Sequence, residues 1–197
     1  MRAPVVLLAC LFWVAGAVSA QTKTQEPPSK QGHAPEVYTG TIMALSGLLA
    51  GRPTDLAVVM GRVSTPAELL RYHQTLDEKD GQKKLADALG NEYDLGAYRL
   101  GSELSLAVKI ISSEKVGNTR HVVLVGVRIP QGLESQGQLT PRDYRFVMIK
   151  LNLDEKGNGE GEYLASVKLR FNKDNVPEVA DYQTQPARVL EVKAQRR

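Results

Sequence analysis

Cysteine is nearly missing from this chain: of 197 residues only Cys10 carries a thiol, and the single tryptophan, Trp13, lies three positions on. Both fall within the first twenty residues, where Arg2 precedes an apolar stretch from Val5 to Val18 that ends in Val18-Ser19-Ala20. A short basic start, an apolar middle and small residues ahead of a cut form the layout of a secretory signal peptide. Cleavage after Ala20 is expected. The exported body of 177 residues then has no disulfide, no thiol chemistry and no indole. A domain of about 160 residues is large enough to be stable without covalent staples, so the missing cysteine leaves the redox compartment open.

Long apolar runs are missing elsewhere. A lasting transmembrane helix needs about 20 apolar residues with polar anchors on both sides, which residues 5–18 do not supply, so no permanent membrane span is expected. At Cys10 the tetrapeptide Leu7-Leu8-Ala9-Cys10 matches the pattern at which bacterial lipoproteins are cut and acylated. Only Pro4 to Ala9 would then serve as the apolar region, and the mature chain would open on the greasy run Leu11 to Val18, which makes lipid anchoring the weaker reading. A strong charge of one sign is missing too. With the signal removed, 24 Lys+Arg face 22 Asp+Glu, and this near balance, without a basic stripe, argues against nucleic acid as a partner.

Catalytic signatures are scarce. No GxGxxG opens a helix and no GxxxxGK[ST] occurs, so nucleotide binding has no support; HExxH and the GxSxG elbow are missing as well. Histidine is limited to His33, His73 and His121. A zinc site usually takes three or four ligands, so neither a metal nor another cofactor is expected. His73 falls on the apolar stripe of a helix and His121 at a strand start, where satisfied or solvated imidazoles are the ordinary case. Ser64, Ser102 and Ser112 keep a triad conceivable, but triads are defined by geometry. A non-enzymatic chain is therefore the first expectation, with a hydrolase built on His73 or His121 and a carboxylate as the alternative and a purely structural envelope protein as a third.

What is present reads as one β-rich domain. Gln21 to Pro35 is rich in proline and polar residues and is expected to be an unstructured leader; the domain spans 36–195. Strand-like runs open it at Glu36 to Leu45 and Thr54 to Val63, the second apolar on both faces and so expected near a covered sheet centre. Thr65, Pro66 and Glu68 form a capping box ahead of Leu69, Tyr72, His73 and Leu76 at helical spacing. Asp80-Gly81 should break this helix, and a second, Gln82 to Leu89, should bury Leu85, Ala88 and Leu89 and stop at Gly90-Asn91. Further strands are expected at Leu95 to Gly101, Glu103 to Ile111, Arg120 to Ile129, Asp143 to Leu153 and Glu162 to Phe171; in the second, Leu104, Leu106, Val108 and Ile110 alternate with Ser105, Ala107 and Lys109, and in the last Tyr163, Ala165, Val167, Leu169 and Phe171 point inward. Val176 to Tyr182 and Ala187 to Lys193 should lie near an edge, since Pro177 and Pro186 cannot donate to a ladder. The pattern predicts an α+β fold: a mostly antiparallel sheet of about eight strands, a small barrel or a sandwich, with one inserted helical hairpin.

Two features invite a functional reading. Tyr144, Phe146 and Met148 recur on one face of a strand whose other face, Val147, Ile149 and Leu151, is also apolar. One set must be core; the other is expected under the helical hairpin, or, if the helices pack elsewhere, Tyr144, Phe146 and Met148 become candidate ligand-binding residues. Asp154 through Glu162 is dense in carboxylates and glycines, but a calcium loop starting at Asp154 would put Lys156 and Ala165 at ligand positions, so a tight hairpin turn is expected instead. Arg188, Lys193, Arg196 and Arg197 give the C-terminus a weakly basic character, read as a solvated tail.

Tyr38-Thr39-Gly40-Thr41, the stretch Leu153-Asp154 through Gly161, and Tyr182-Gln183-Thr184-Gln185-Pro186-Ala187-Arg188 together resemble a family of small exported bacterial proteins. That family has no assigned activity, cofactor or catalytic residue, so the resemblance implies architecture only. The functional expectation is an exported binding domain, periplasmic or extracellular, whose partner is a small apolar ligand or another envelope component.

Overall fold

The computed structural model describes residues 34–44, 51–127, 144–183 and 185–195, all in the unit Gln31–Arg197. The expected signal peptide, the expected leader up to His33 and the polar stretch Pro130 to Arg142, expected from its sequence to be a loop, lie outside the described residues. Ten strands and two helices follow in the order β1 (Glu36–Met43), β2 (Pro53–Met60), α1 (Pro66–Asp77), α2 (Gly81–Gly90), β3 (Gly96–Leu100), β4 (Leu106–Val108), β5 (Ile110–Val116), β6 (Thr119–Val127), β7 (Phe146–Leu153), β8 (Gly159–Phe171), β9 (Pro177–Tyr182) and β10 (Ala187–Ala194). They build one antiparallel sheet in the order β4-β3-β2-β1-β10-β8-β7-β6-β5, with β9 paired to β8. The fold is α+β, with the helical hairpin inserted after the second strand. No helix of the described residues is long and apolar enough to cross a membrane.

The two ends of the sheet path are pieces of one run. Up to Val108 it pairs with β3, and from Ile110 it pairs with β6, while the Lys109 N–H donates to the Val125 carbonyl at 2.8 Å. The change of partner inserts one residue and reverses the pleat. Val108 and Ile111, three positions apart, therefore reach the same core, and Ile110 faces the other way. The expected alternation over Glu103 to Ile111 fails for this reason, and Leu104, outside any strand, is 84% exposed. The Lys109 ammonium pins the break to the chain just before β3, through the Glu92 carbonyl at 2.5 Å and the Asp94 carboxylate at 2.8 Å.

The sheet does not close into a barrel, but it curves so that inward side chains from its distant parts share one core. Ile42, Val58 and Tyr98 of β1 to β3 pack in the same cluster as Val122, Leu124, Ile149 and Val189. The opposite face of β5 to β8 is covered by the helices, where Tyr72, Leu85 and Leu89 lie over Ile110, Val125, Leu164 and Val167. Burying such side chains contributes about 1.5–3 kcal/mol each, the dominant favourable contribution to folding.

Local rules place the helices. The Thr65 hydroxyl accepts from the Glu68 N–H at 3.2 Å, the Glu68 carboxylate accepts from the Thr65 N–H at 2.7 Å, and Pro66 opens the first turn. Arg62 clasps Glu68 with both guanidinium nitrogens at 2.9 and 2.7 Å, which, against the opposing effect of burial, lowers its carboxyl to about 2. The chain turns between helices at Asp80, in the left-handed region at φ 60°. In α2 Ala86 is buried and Ala88 exposed, the reverse of the expectation for Ala88, and Asn91 ends the helix right-handed.

Three strand expectations are also corrected. The outer face of β2 is uncovered, with Val59 39% exposed, because both helices lie over β5 to β8. In β8 a bulge sits opposite Phe146 and Met148, so Leu164, Val167, Leu169 and Phe171 face the helices, while Tyr163 packs on the other core and Ala165, only partly buried, belongs to neither cluster. And β10 lies inside the sheet between β1 and β8, since Pro186 precedes it and removes no ladder donor; β9 does lie at an edge.

The register of β10 shifts against both neighbours around Glu191, whose φ is 52°. A non-glycine residue there carries about 1–2 kcal/mol of strain, and glycine would return about 0.5–1 kcal/mol of that through backbone entropy. Glu191→Gly should therefore raise stability by about 0.5–1 kcal/mol in chemical denaturation, whereas Lys193→Gly, two residues on and outside the left-handed region, should lower it. Equal losses for both would show that Glu191 is unstrained.

Candidate functional site

The inward rows do not end where the core ends. On β6 the residue in phase with Val122 and Leu124 is Arg120; on β5 Ser113 and Lys115 follow Ile111; on β1 Glu36 precedes Tyr38. Alternation thus carries charged side chains along the core-facing direction to the end of the sheet. There the β5–β6 and β7–β8 turns meet the start of β1 and the end of β10 around a cleft of about 360 Å³.

Arg120 organises it. Its Nε donates to the Ser113 hydroxyl at 2.7 Å, and its Nη1 reaches across to Glu36 Oε2 at 2.7 Å, with the Tyr38 hydroxyl at 3.4 Å. The Tyr38 hydroxyl donates to the same Glu36 oxygen at 2.6 Å. Burial, then the hydrogen bond and charge of Glu36, push the Tyr38 phenol up to about 12, with Arg120 opposing. At neutral pH it stays protonated, donating to Glu36 and accepting from Arg120. Lys115 meets Glu155 more loosely, at 3.6 Å, with both side chains well exposed.

The floor of the cleft is the β7–β8 turn. The Asp154 carboxylate accepts from the N–H groups of Lys156 and Asn158, each at 2.8 Å, and Gly157 takes φ 80° where an added Cβ would come within 2.7 Å of the Ala194 Cβ. This is the turn expected for Asp154 to Glu162. Of its glycines only Gly157 uses a positive φ; Gly159 and Gly161 lie in β8, where an added Cβ would come within 1.8 and 2.0 Å of the Asn152 and Lys150 carbonyls. Lys115, Arg120 and Lys156 face Glu36, Asp154 and Glu155 around the cleft, so it is charged but balanced. Neither histidine nor cysteine lines it, and among the described residues no three His, Cys, Asp or Glu side chains are placed to hold a metal.

The residues singled out from sequence lie elsewhere. Phe146 and Met148 are fully buried beneath α1 and α2, while Val147, Ile149 and Leu151 fill the other core. Tyr144, half-buried before β7, donates to Asp181 at 2.5 Å and carries the Lys168 ammonium over its ring. His73 stacks on Phe171 with ring centroids 5.4 Å apart, its Nδ1 is 2.7 Å from Asn175 Oδ1, and Asp77 lies 3.6 Å from its Nε2. His121 meets Asn152 Oδ1 at 2.7 Å on the outer face. Ser64 is buried, its hydroxyl accepting the Ile111 N–H at 3.1 Å. Arg120 and Glu36 were legible only as a phase: a charged residue at the inward parity of an otherwise apolar row.

No family model matches the chain, and no curated protein or solved structure matches it.

Phe146→Ala should cost about 3–5 kcal/mol in chemical denaturation, as truncation of a fully buried aromatic does, and Tyr144→Ala only a small fraction of that. Comparable losses would place Tyr144 in the core. In an alkaline titration followed at 295 nm, the Tyr38 phenol should stay protonated past pH 11. Its raised pKa means that this contribution to stability is complete below pH 10 and lost as pH rises through about 12. Tyr38→Phe should remove one late-ionising phenol and leave those of Tyr72 and Tyr98, also raised by burial; an unchanged late phase would contradict this assignment.

Proposed function

We propose that this chain is an exported, non-catalytic binding domain that takes up a small polar component of the cell envelope in the cleft between β1, β5–β6 and β7–β8. The observation that carries this reading is the Arg120–Glu36–Tyr38 cluster, in which a cation from β6 meets an anion and a neutral hydroxyl from β1 at a concave, solvent-facing site. Binding sites hold a few such converging polar groups on a rigid scaffold. A polar partner suits this lining better than the small apolar ligand, because the core beneath it is closely packed and its buried side chains are almost wholly out of solvent. Export, to the periplasm or beyond, rests on the layout of residues 1–20, and the resemblance to small exported bacterial proteins supports the same destination.

Protein purified from its own host and examined by native mass spectrometry should retain a bound small polar species. Arg120→Ala should weaken that binding by at least about tenfold, as loss of a charged hydrogen-bond donor does, with the fold retained. A protein that is empty throughout, or a species whose binding is indifferent to Arg120→Ala, would refute the reading.

A further inference from the structure

Building on that reading, we infer that Glu36 occupies the place of a ligand carboxylate on Arg120, so that the cleft is a carboxylate site held shut by the chain's own side chain. The two partners are held unequally. Arg120 is anchored on β6, which is paired on both sides by β5 and β7, and its Nε is fixed by Ser113. Glu36 is the first residue of β1, its side chain 44% exposed, and only one of its oxygens meets the guanidinium. A guanidinium offers a two-nitrogen fork that a carboxylate fills best with both oxygens. The bond to Glu36 leaves that fork incompletely used.

The ion pair with Arg120 opposes displacement only weakly. Ion pairs exposed to this degree resist separation by less than about tenfold. An arriving carboxylate would inherit the Arg120 guanidinium and the Tyr38 hydroxyl, both of which already converge on Glu36 Oε2. With Glu36 swung out, the cations Lys115, Arg120 and Lys156 outnumber Asp154 and Glu155 by one charge around the cleft, and Asp154 remains tied to the N–H groups of its own turn. The class of ligand is therefore a small molecule or chain end that presents a free carboxylate beside neutral polar groups.

The test is an NMR titration of the full-length, isotope-labelled protein with succinate and with N-acetyl-dialanine, each beside its amide. Both acids, or one of them, should shift the Arg120 Nε–H and the Tyr38 and Ser113 amides, and the amides should not; response to the peptide alone would name a chain end as the source, and response to succinate a free acid. Glu36→Gln should tighten binding about threefold to tenfold by removing the internal competitor, Glu36→Ala should do so by a second route, and Arg120→Met should abolish it. Unchanged or weaker binding in both Glu36 variants, or amides that bind as well as acids, would overturn the inference. Native mass spectrometry reads occupancy whatever the charge of the bound species, so a neutral polar occupant lost in Arg120→Ala would leave the binding domain standing and remove only the carboxylate.

Discussion

The structure depends on one backbone constraint: the run from Leu106 to Val116 belongs to both ends of the sheet. Its first part completes the ladder with β3 and its second part the ladder with β6, so the sheet must curve until inward side chains from its distant parts fill the same space. A flat sheet of this length would expose two large apolar faces. Curvature encloses one of them, and the helical hairpin then has only the β5 to β8 part of the other to cover. The bulge at Lys109 is where the two demands meet. Its backbone serves β6, and its ammonium is fastened to the segment leading into β3.

The polar cleft follows from the same curvature. Strands run on past the apolar core, and pleat alternation keeps every second side chain aimed along the inward direction. Where the curved sheet opens, those positions can no longer be apolar without leaving a greasy surface, and Arg120, Glu36, Ser113 and Lys115 take them. Tyr38 spans the transition, its ring in the core and its hydroxyl among the charges. Half-buried ion pairs of this kind add little to stability because desolvation offsets most of the attraction. Their value lies in the geometry they present.

Elements governed by near neighbours were legible in the residues. The capping box at Thr65 and Glu68, the break at Asp80-Gly81, the turn at Asp154 and the helical hairpin after the second strand all appear where the pattern predicts them. Positions governed by strand partners were not. Glu103 to Ile111 alternates on paper, yet a change of partner at Lys109 inverts it; Tyr163 and Val167 share a parity, yet the bulge in β8 sends them to different cores. Val59 looks covered from its apolar neighbours, but coverage is a property of where the helices land. The candidate site was hidden for the same reason, since Arg120 and Glu36 stand 84 residues apart and are brought together only by the ladders between them.

Composition and local pattern alone determined that this is a cysteine-poor, β-rich chain with one capped helical hairpin and without the spacing of known catalytic loops, because those properties are set by residue identity and by interactions within a few positions. Which face of each strand is buried, where the pleat reverses, and which charges meet at the end of the sheet were decided by tertiary structure, because each depends on a partner strand whose identity no local pattern encodes.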